Sequence, residues 1–129
     1  MKTFTFLPMV LLVAALSAPA QAQTSAAAQI TSLQQQGAAT PDAQRGKALW
    51  FSKNGERSCS GCHGQSPTET GHHMKTRKAI KPMALSQNPA RFTSLKKTEK
   101  WFRRNCKWTL GRVCTVQEKA DILSWLSSQ

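Results

Sequence analysis

Cys59-Ser60-Gly61-Cys62-His63 constrains this chain more than any other stretch. Two thiols at this spacing can add to the two vinyl groups of one haem, and the adjacent imidazole can then take the iron. A covalently held porphyrin is a large apolar body, so the fold must wrap around it. It also supplies core that a chain of 129 residues would otherwise lack. A structural zinc site would need two further Cys or His ligands at close paired spacing, and Cys106 and Cys114 stand too far apart for that. A thioredoxin-like dithiol would sit in a βαβ setting, and the sequence shows no strand-like alternation. The expectation is one haem c, attached through Cys59 and Cys62, with His63 as the proximal iron ligand.

The N-terminus fits that chemistry. Met1 and Lys2 precede a largely apolar, uncharged run from Phe4 to Leu16, and small residues follow at Ala18-Pro19-Ala20 and Ala20-Gln21-Ala22. This is the pattern of a secretory signal cut after Ala22. The apolar run is about 13 residues, short of the ~20 a helix needs to span a bilayer. No later segment is apolar enough to span. The expected organisation is a signal over residues 1–22, an Ala/Gln-rich segment over 23–40, and a cytochrome domain over 41–129. The middle segment reads as a frayed helix or flexible tether and is not assigned to the core. Export of the Gram-negative type places the protein in the periplasm, where disulfides can form.

The formal net charge is +12. It is concentrated between Lys75 and Arg112, which hold twelve Lys or Arg residues and a single acid, Glu99. Such a bias speaks of partners and steering rather than fold. Nucleic acid is the usual partner of a strongly basic chain, but export argues against it. An acidic redox protein fits better, with an anionic membrane surface as the next reading. The chain is expected to act as a monomer.

Helical signals flank the motif. Pro41 and Asp42 precede a stretch with Gly46, Leu49, Trp50 and Phe51, which Gly55 is expected to end. Thr115-x-x-Glu118 is a capping box opening a helix to about Ser127, with Ala120, Ile122, Leu123, Trp125 and Leu126 as its apolar side. A third helix should start at Thr93 or Ser94 and run over Leu95 to Asn105, with Leu95, Trp101, Phe102 and Asn105 inward. The expected fold is all-α, with three to five helices around one covalent haem. The arrangement resembles class I c-type cytochromes, in which an N-terminal helix with a glycine and an aromatic crosses the C-terminal helix. Gly46, Trp50 or Phe51, and Leu123 or Trp125 are the matching positions.

The residue facing His63 across the haem decides the function. Two strong axial ligands make an electron carrier, whereas a weak or absent sixth ligand lets the iron take small gases. Met83 follows Pro82 on an irregular segment where a ligand loop could lie. Met74, His72 and His73 are close to His63 in sequence, and both histidines read as exposed polar residues. Asn105 falls at the inward end of its helix, but asparagine often ends helices without any further role. From the residues alone, Met83 and Asn105 both stand.

A wider pattern adds to this. Cys59-Ser-Gly-Cys-His63, Lys75-Thr76-x-Lys78-x-Ile80-x-Pro82, Asn88-Pro89-x-Arg91-Phe92-Thr93, Glu99-Lys100-Trp101-Phe102-x-Arg104-Asn105-Cys106 and Gly111-Arg112-x-Cys114-Thr115-x-x-Glu118-Lys119 together resemble the sphaeroides haem protein family. The likeness covers roughly Gly46 to Leu126. It implies an oxygen-binding c-type cytochrome in which Asn105 is the distal ligand of ferric haem. It also implies a Cys106–Cys114 disulfide beside the haem pocket and a dihaem cytochrome c as electron donor. The implied function is a periplasmic mono-haem cytochrome that accepts electrons, releases Asn105 on reduction, and binds O2 or NO. The alternative is a conventional electron carrier with Met83 as sixth ligand. An enzyme, such as an oxygen reductase or nitric oxide dioxygenase, is the weakest reading, because no acid–base constellation is visible.

Overall fold

The four longer helices among the described residues each start where a side-chain oxygen caps them. In the computed structural model, which describes residues 23–129, Ser25 caps α1 (Ala26–Gln35) and Asp42 caps α2 (Ala43–Phe51). The single turn α3 (Ser60–His63) follows Cys59 and holds Cys62 and His63. A two-residue ribbon follows, β1 (Gly71–His72) antiparallel to β2 (Ala79–Ile80). Ser94 caps α4 (Leu95–Leu110), and Thr115 caps α5 (Val116–Ser127) through the full reciprocal capping box with Glu118. The described residues are thus all-α apart from the ribbon, as expected. The expected signal segment, residues 1–22, lies outside the described residues.

The centre of the fold is the crossing of α2 and α5. Gly46 is buried, and a Cβ there would run into the backbone carbonyl of Asp121. Only glycine lets the two backbones come so close. One turn along α2, Trp50 joins Ile122, Trp125 and Leu126 in a buried cluster. Phe51 and Trp125 meet edge-on at 5.9 Å. All five apolar positions expected on α5 are buried.

The same crossing holds a buried carboxylate. Asp121 is 3% exposed and accepts from the Asp42 backbone N–H at 2.7 Å, from Gln117 at 2.9 Å and from Arg45 at 2.8 Å. Burial alone would push its pKa up. The Arg45, Asp42 and Gln117 donors outweigh that and hold it below the usual carboxylate range. Asp121 therefore stays charged and ties the start of α2 to α5.

Three details differ from the sequence reading. The Ala/Gln-rich segment is part of the core, not a tether. Leu33 and Ala38 pack with Ala120 and Leu123 of α5, and the buried Gln29 donates to the Phe92 carbonyl at 2.6 Å. A low-charge stretch can do this because α5 presents a second apolar side to it. Secondly, α2 ends at Phe51, and Gly55 serves instead in the turn closed by the Asn54–Arg57 bridge, with φ +61°. Thirdly, α4 continues past Asn105 to Leu110 and is stopped by Gly111 in the left-handed conformation.

Gly46→Ala should destabilise the haem-loaded protein. Alanine is the better helix former by about 1 kcal/mol. The backbone collision costs about 1–3 kcal/mol and wins. A lowered denaturant midpoint with unchanged slope is the expected result.

Candidate functional site

α3 brings Cys59, Cys62 and His63 together within one turn. Gly71 of β1 packs against the backs of these residues, so closely that a Cβ would strike the Cys62 carbonyl and the His63 backbone. Both cysteines are unpaired. Burial pushes the Cys59 thiol up to about 11. That is the opposite of the depressed thiol a redox dithiol needs. Zinc shared with the second cysteine pair fails as well, because Cys106 and Cys114 are bonded to each other.

His63 is held by the α2/α5 crossing. Its ring lies 5.1 Å from that of Trp50, which in turn packs on Trp125 at 5.5 Å. Burial, with a smaller push from the Arg91 charge, lowers the His63 pKa to about 4. The imidazole is therefore neutral at pH 7 and keeps a lone pair for a metal. Its Nδ1 is buried and has no hydrogen-bond partner among the described residues. A neutral, orphaned imidazole next to two free thiols is a donor set that fits covalent haem with histidine ligation. Arg91 stands near this side because its Nε and Nη2 donate to the Pro82 and Lys81 carbonyls at 3.0 and 2.6 Å. Local sequence pattern marks neither Arg91 nor Trp50 as a neighbour of His63. Arg91 does lie in the Asn88-Pro89-x-Arg91 signature, which was the available signal.

Asn105 sits elsewhere, on α4. Its side chain is exposed and makes no hydrogen bond among the described residues. Because α4 runs on to Leu110, Asn105 is interior to the helix and is not its cap. The expected inward face of α4 is divided. Phe102 packs against both core clusters, whereas Leu95 and Trp101 are 49% and 51% exposed. The core takes the side of the helix bearing Thr98, Phe102, Cys106 and Thr109. Trp101, Asn105 and Trp108 share an adjacent stripe at i, i+4 and i+7. Trp101 is exposed and Trp108 half-buried, and such an indole stripe suits contact with a flat apolar group.

The cysteines at Cys106 and Cys114 form a disulfide with Cα atoms 5.6 Å apart. It joins the fourth turn of α4 to the residue before the α5 cap. Met83 packs beside Trp50 and Trp125, and its N–H donates to the Pro67 carbonyl at 2.9 Å. His72 and His73 are exposed, and the His73 ring accepts from the Lys75 and Thr76 N–H groups.

Residues 36–126 match the family described as a domain of unknown function (DUF1924). The cytochrome c-type protein SHP of Cereibacter sphaeroides is 42% identical over 125 residues, which is 92% of this chain and 96% of that protein. The chain belongs to the sphaeroides haem protein family. The structure of oxidised SHP, an oxygen-binding cytochrome c, superposes with a TM-score of 0.78 at 43% identity, covering 83% of this chain and 99% of that one. Cytochrome c'' of Methylophilus methylotrophus is 35% identical over 74 residues, 57% of this chain and 51% of that protein. Its oxidised crystal structure aligns with a TM-score of 0.71 at 26% identity, covering 81% and 94%. Its solution structure, which concerns haem-ligand detachment, aligns with a TM-score of 0.70 at 27% identity. The fold is thus the helical cytochrome c-like one, and the cofactor is one covalently attached haem c.

Replacing both Cys106 and Cys114 by serine should lower stability by roughly 2.5 kcal/mol, the chain-entropy value for a loop of about nine residues. Chemical denaturation of the haem-loaded protein measures this. An unchanged midpoint would remove the disulfide from the stabilising contacts.

Proposed function

We propose that this is a periplasmic mono-haem cytochrome that accepts electrons and binds a diatomic gas at ferrous haem, with Asn105 as a releasable ligand. Bound haem supplies an iron that carries one electron and can take a small ligand. Cys59 and Cys62 hold the group, and the neutral His63 imidazole ligates one side. The observation that carries the reading is Asn105 itself. It is a free amide inside α4, one residue from a disulfide, with neither a capping nor a packing role.

An amide oxygen is a hard, neutral, weak donor. Ferric iron accepts it, and ferrous iron prefers softer or π-accepting ligands. Asn105 therefore holds its place in the ferric protein and leaves on reduction. Its Nδ2–H then remains available to donate to a diatomic. The Cys106–Cys114 bond keeps the Asn105 backbone within reach, so the same amide can return. The named relatives support this direction: one is an oxygen-binding cytochrome c, and another concerns haem-ligand detachment.

Optical spectra test the reading. Asn105→Ala should alter the ferric spectrum, and reduced wild-type protein should be five-coordinate and take up O2, NO or CO. An unchanged ferric spectrum in Asn105→Ala would reject Asn105. A six-coordinate, low-spin ferrous protein would favour the conventional carrier with Met83 as ligand.

The basic surface bears on the electron donor. Lys96, Lys97, Lys100, Arg103, Arg104 and Lys107 all lie on α4, and none makes a salt bridge among the described residues. Such a field attracts an acidic redox protein, and a dihaem cytochrome c is the donor we favour. The electron-transfer rate should fall at least about tenfold between roughly 10 and 200 mM salt. A flat salt profile would exclude electrostatic docking.

A further inference from the structure

α4 must be held at the correct distance if Asn105 is to act as a weak ligand. The disulfide fastens it to α5, but that bond does not reach the segment that carries the haem. A second fastening does. Arg57 lies two residues before Cys59, in the turn closed by the Asn54–Arg57 bridge. Its guanidinium sits 4.5 Å from the centroid of the Trp108 ring. Its Nη1 also donates to the Trp108 backbone carbonyl at 3.1 Å. Trp108 is three residues after Asn105, one helical turn on, along the same stripe of α4.

We infer that Arg57 is a positioning residue: it latches α4 to the haem-attachment segment and thereby sets how readily Asn105 reaches the iron. The inference rests on Asn105 being the ferric ligand. Arg57 and Trp108 also line a groove of about 370 Å³ together with Met74 and Lys75. Met74 in turn lies over the attachment turn, with its Sδ 3.4 Å from where a Cβ on Gly61 would sit. Arg57 is thus the direct polar link between the part of the chain that fixes the haem and the helix that carries the amide.

The physical role is that of an effective concentration. A weak intramolecular ligand competes with outside ligands only while its tether holds it close. Arg57 adds a ring contact and a hydrogen bond to that tether. Both are partly solvent-exposed, so their combined worth is modest, and the lost latch should shift a competition about three- to tenfold. Lysine retains the charge over the ring but lacks the planar fork that also reaches the carbonyl.

The probe is imidazole, which competes with Asn105 for ferric iron. Arg57→Gln in the haem-loaded protein should raise the ferric affinity for imidazole about three- to tenfold, and Arg57→Lys should fall between Gln and wild type. The affinity of the ferrous protein for CO should stay within about twofold, since Asn105 is then already displaced. The decisive comparison is in the Asn105→Ala background, where adding Arg57→Gln should change nothing further. An unchanged imidazole affinity in Arg57→Gln overturns the latch. So does an equal increase with and without Asn105, because Arg57 would then act on the pocket rather than through the amide. If Asn105→Ala itself leaves imidazole affinity unchanged, the ligand reading fails and the latch falls with it. If only the Arg57 variants are silent, the ligand reading survives and the latch alone is wrong.

Discussion

The close crossing of α2 and α5 at Gly46 is the contact on which the rest of the molecule depends. It sets two backbones nearly in touch, and no side chain can be accommodated between them. Trp50 follows one turn later and lies between the core and His63, touching Trp125 on one side and the imidazole on the other. Trp50 therefore joins the helix crossing directly to His63. The buried Asp121 carboxylate, met by three donors, ties the start of α2 to α5. The structural and functional roles of this crossing are hard to separate, since a chain of this size needs its prosthetic group as core.

α4 is held in a different way. Phe102 anchors it to the core, the disulfide ties it to α5, and Arg57 ties it to the attachment segment. Lys119 and Glu99 add an ion pair at 2.7 Å, but Glu99 is exposed enough that this contributes little. An element fixed at separate points, rather than buried along its length, can shift slightly without unfolding. That is the mechanical property a releasable ligand requires. The same helix carries the densest unpaired positive charge, so redox docking and ligand release would involve one surface.

The sequence made some elements legible for local reasons. The haem motif is contiguous, so its chemistry needs no tertiary information. The capping box at Thr115 and Glu118 is a four-residue signal, and the apolar side of α5 follows the helical period. The errors came where distant partners decide. The Ala/Gln-rich segment has few apolar residues of its own, and only the second face of α5 makes Leu33 and Ala38 core. Asp121 lies beside the apolar positions of α5, and nothing local says that a carboxylate there will meet the Asp42 N–H and Arg45 from α2 as well as Gln117 one turn back. The sequence pattern ends α4 at Asn105, a residue type that commonly ends helices, yet the stop signal is Gly111, beyond the first cysteine of the disulfide. This difference matters for function, since it removes helix capping as the explanation for Asn105.

By itself, the sequence determined the cofactor, because that chemistry is written in five adjacent positions, and the same positions carry the proposal that Cys59, Cys62 and His63 hold it. It also determined the all-α class, through caps and helical periodicity, and the sign of the surface charge. The tertiary structure decided which apolar stretches form core, because burial depends on what lies opposite. It decided that Trp50 backs His63, that Arg57 reaches Trp108 from 51 residues away, and that Asn105 stands exposed inside α4. Those relations join segments far apart in the chain, and only packing brings them within contact distance.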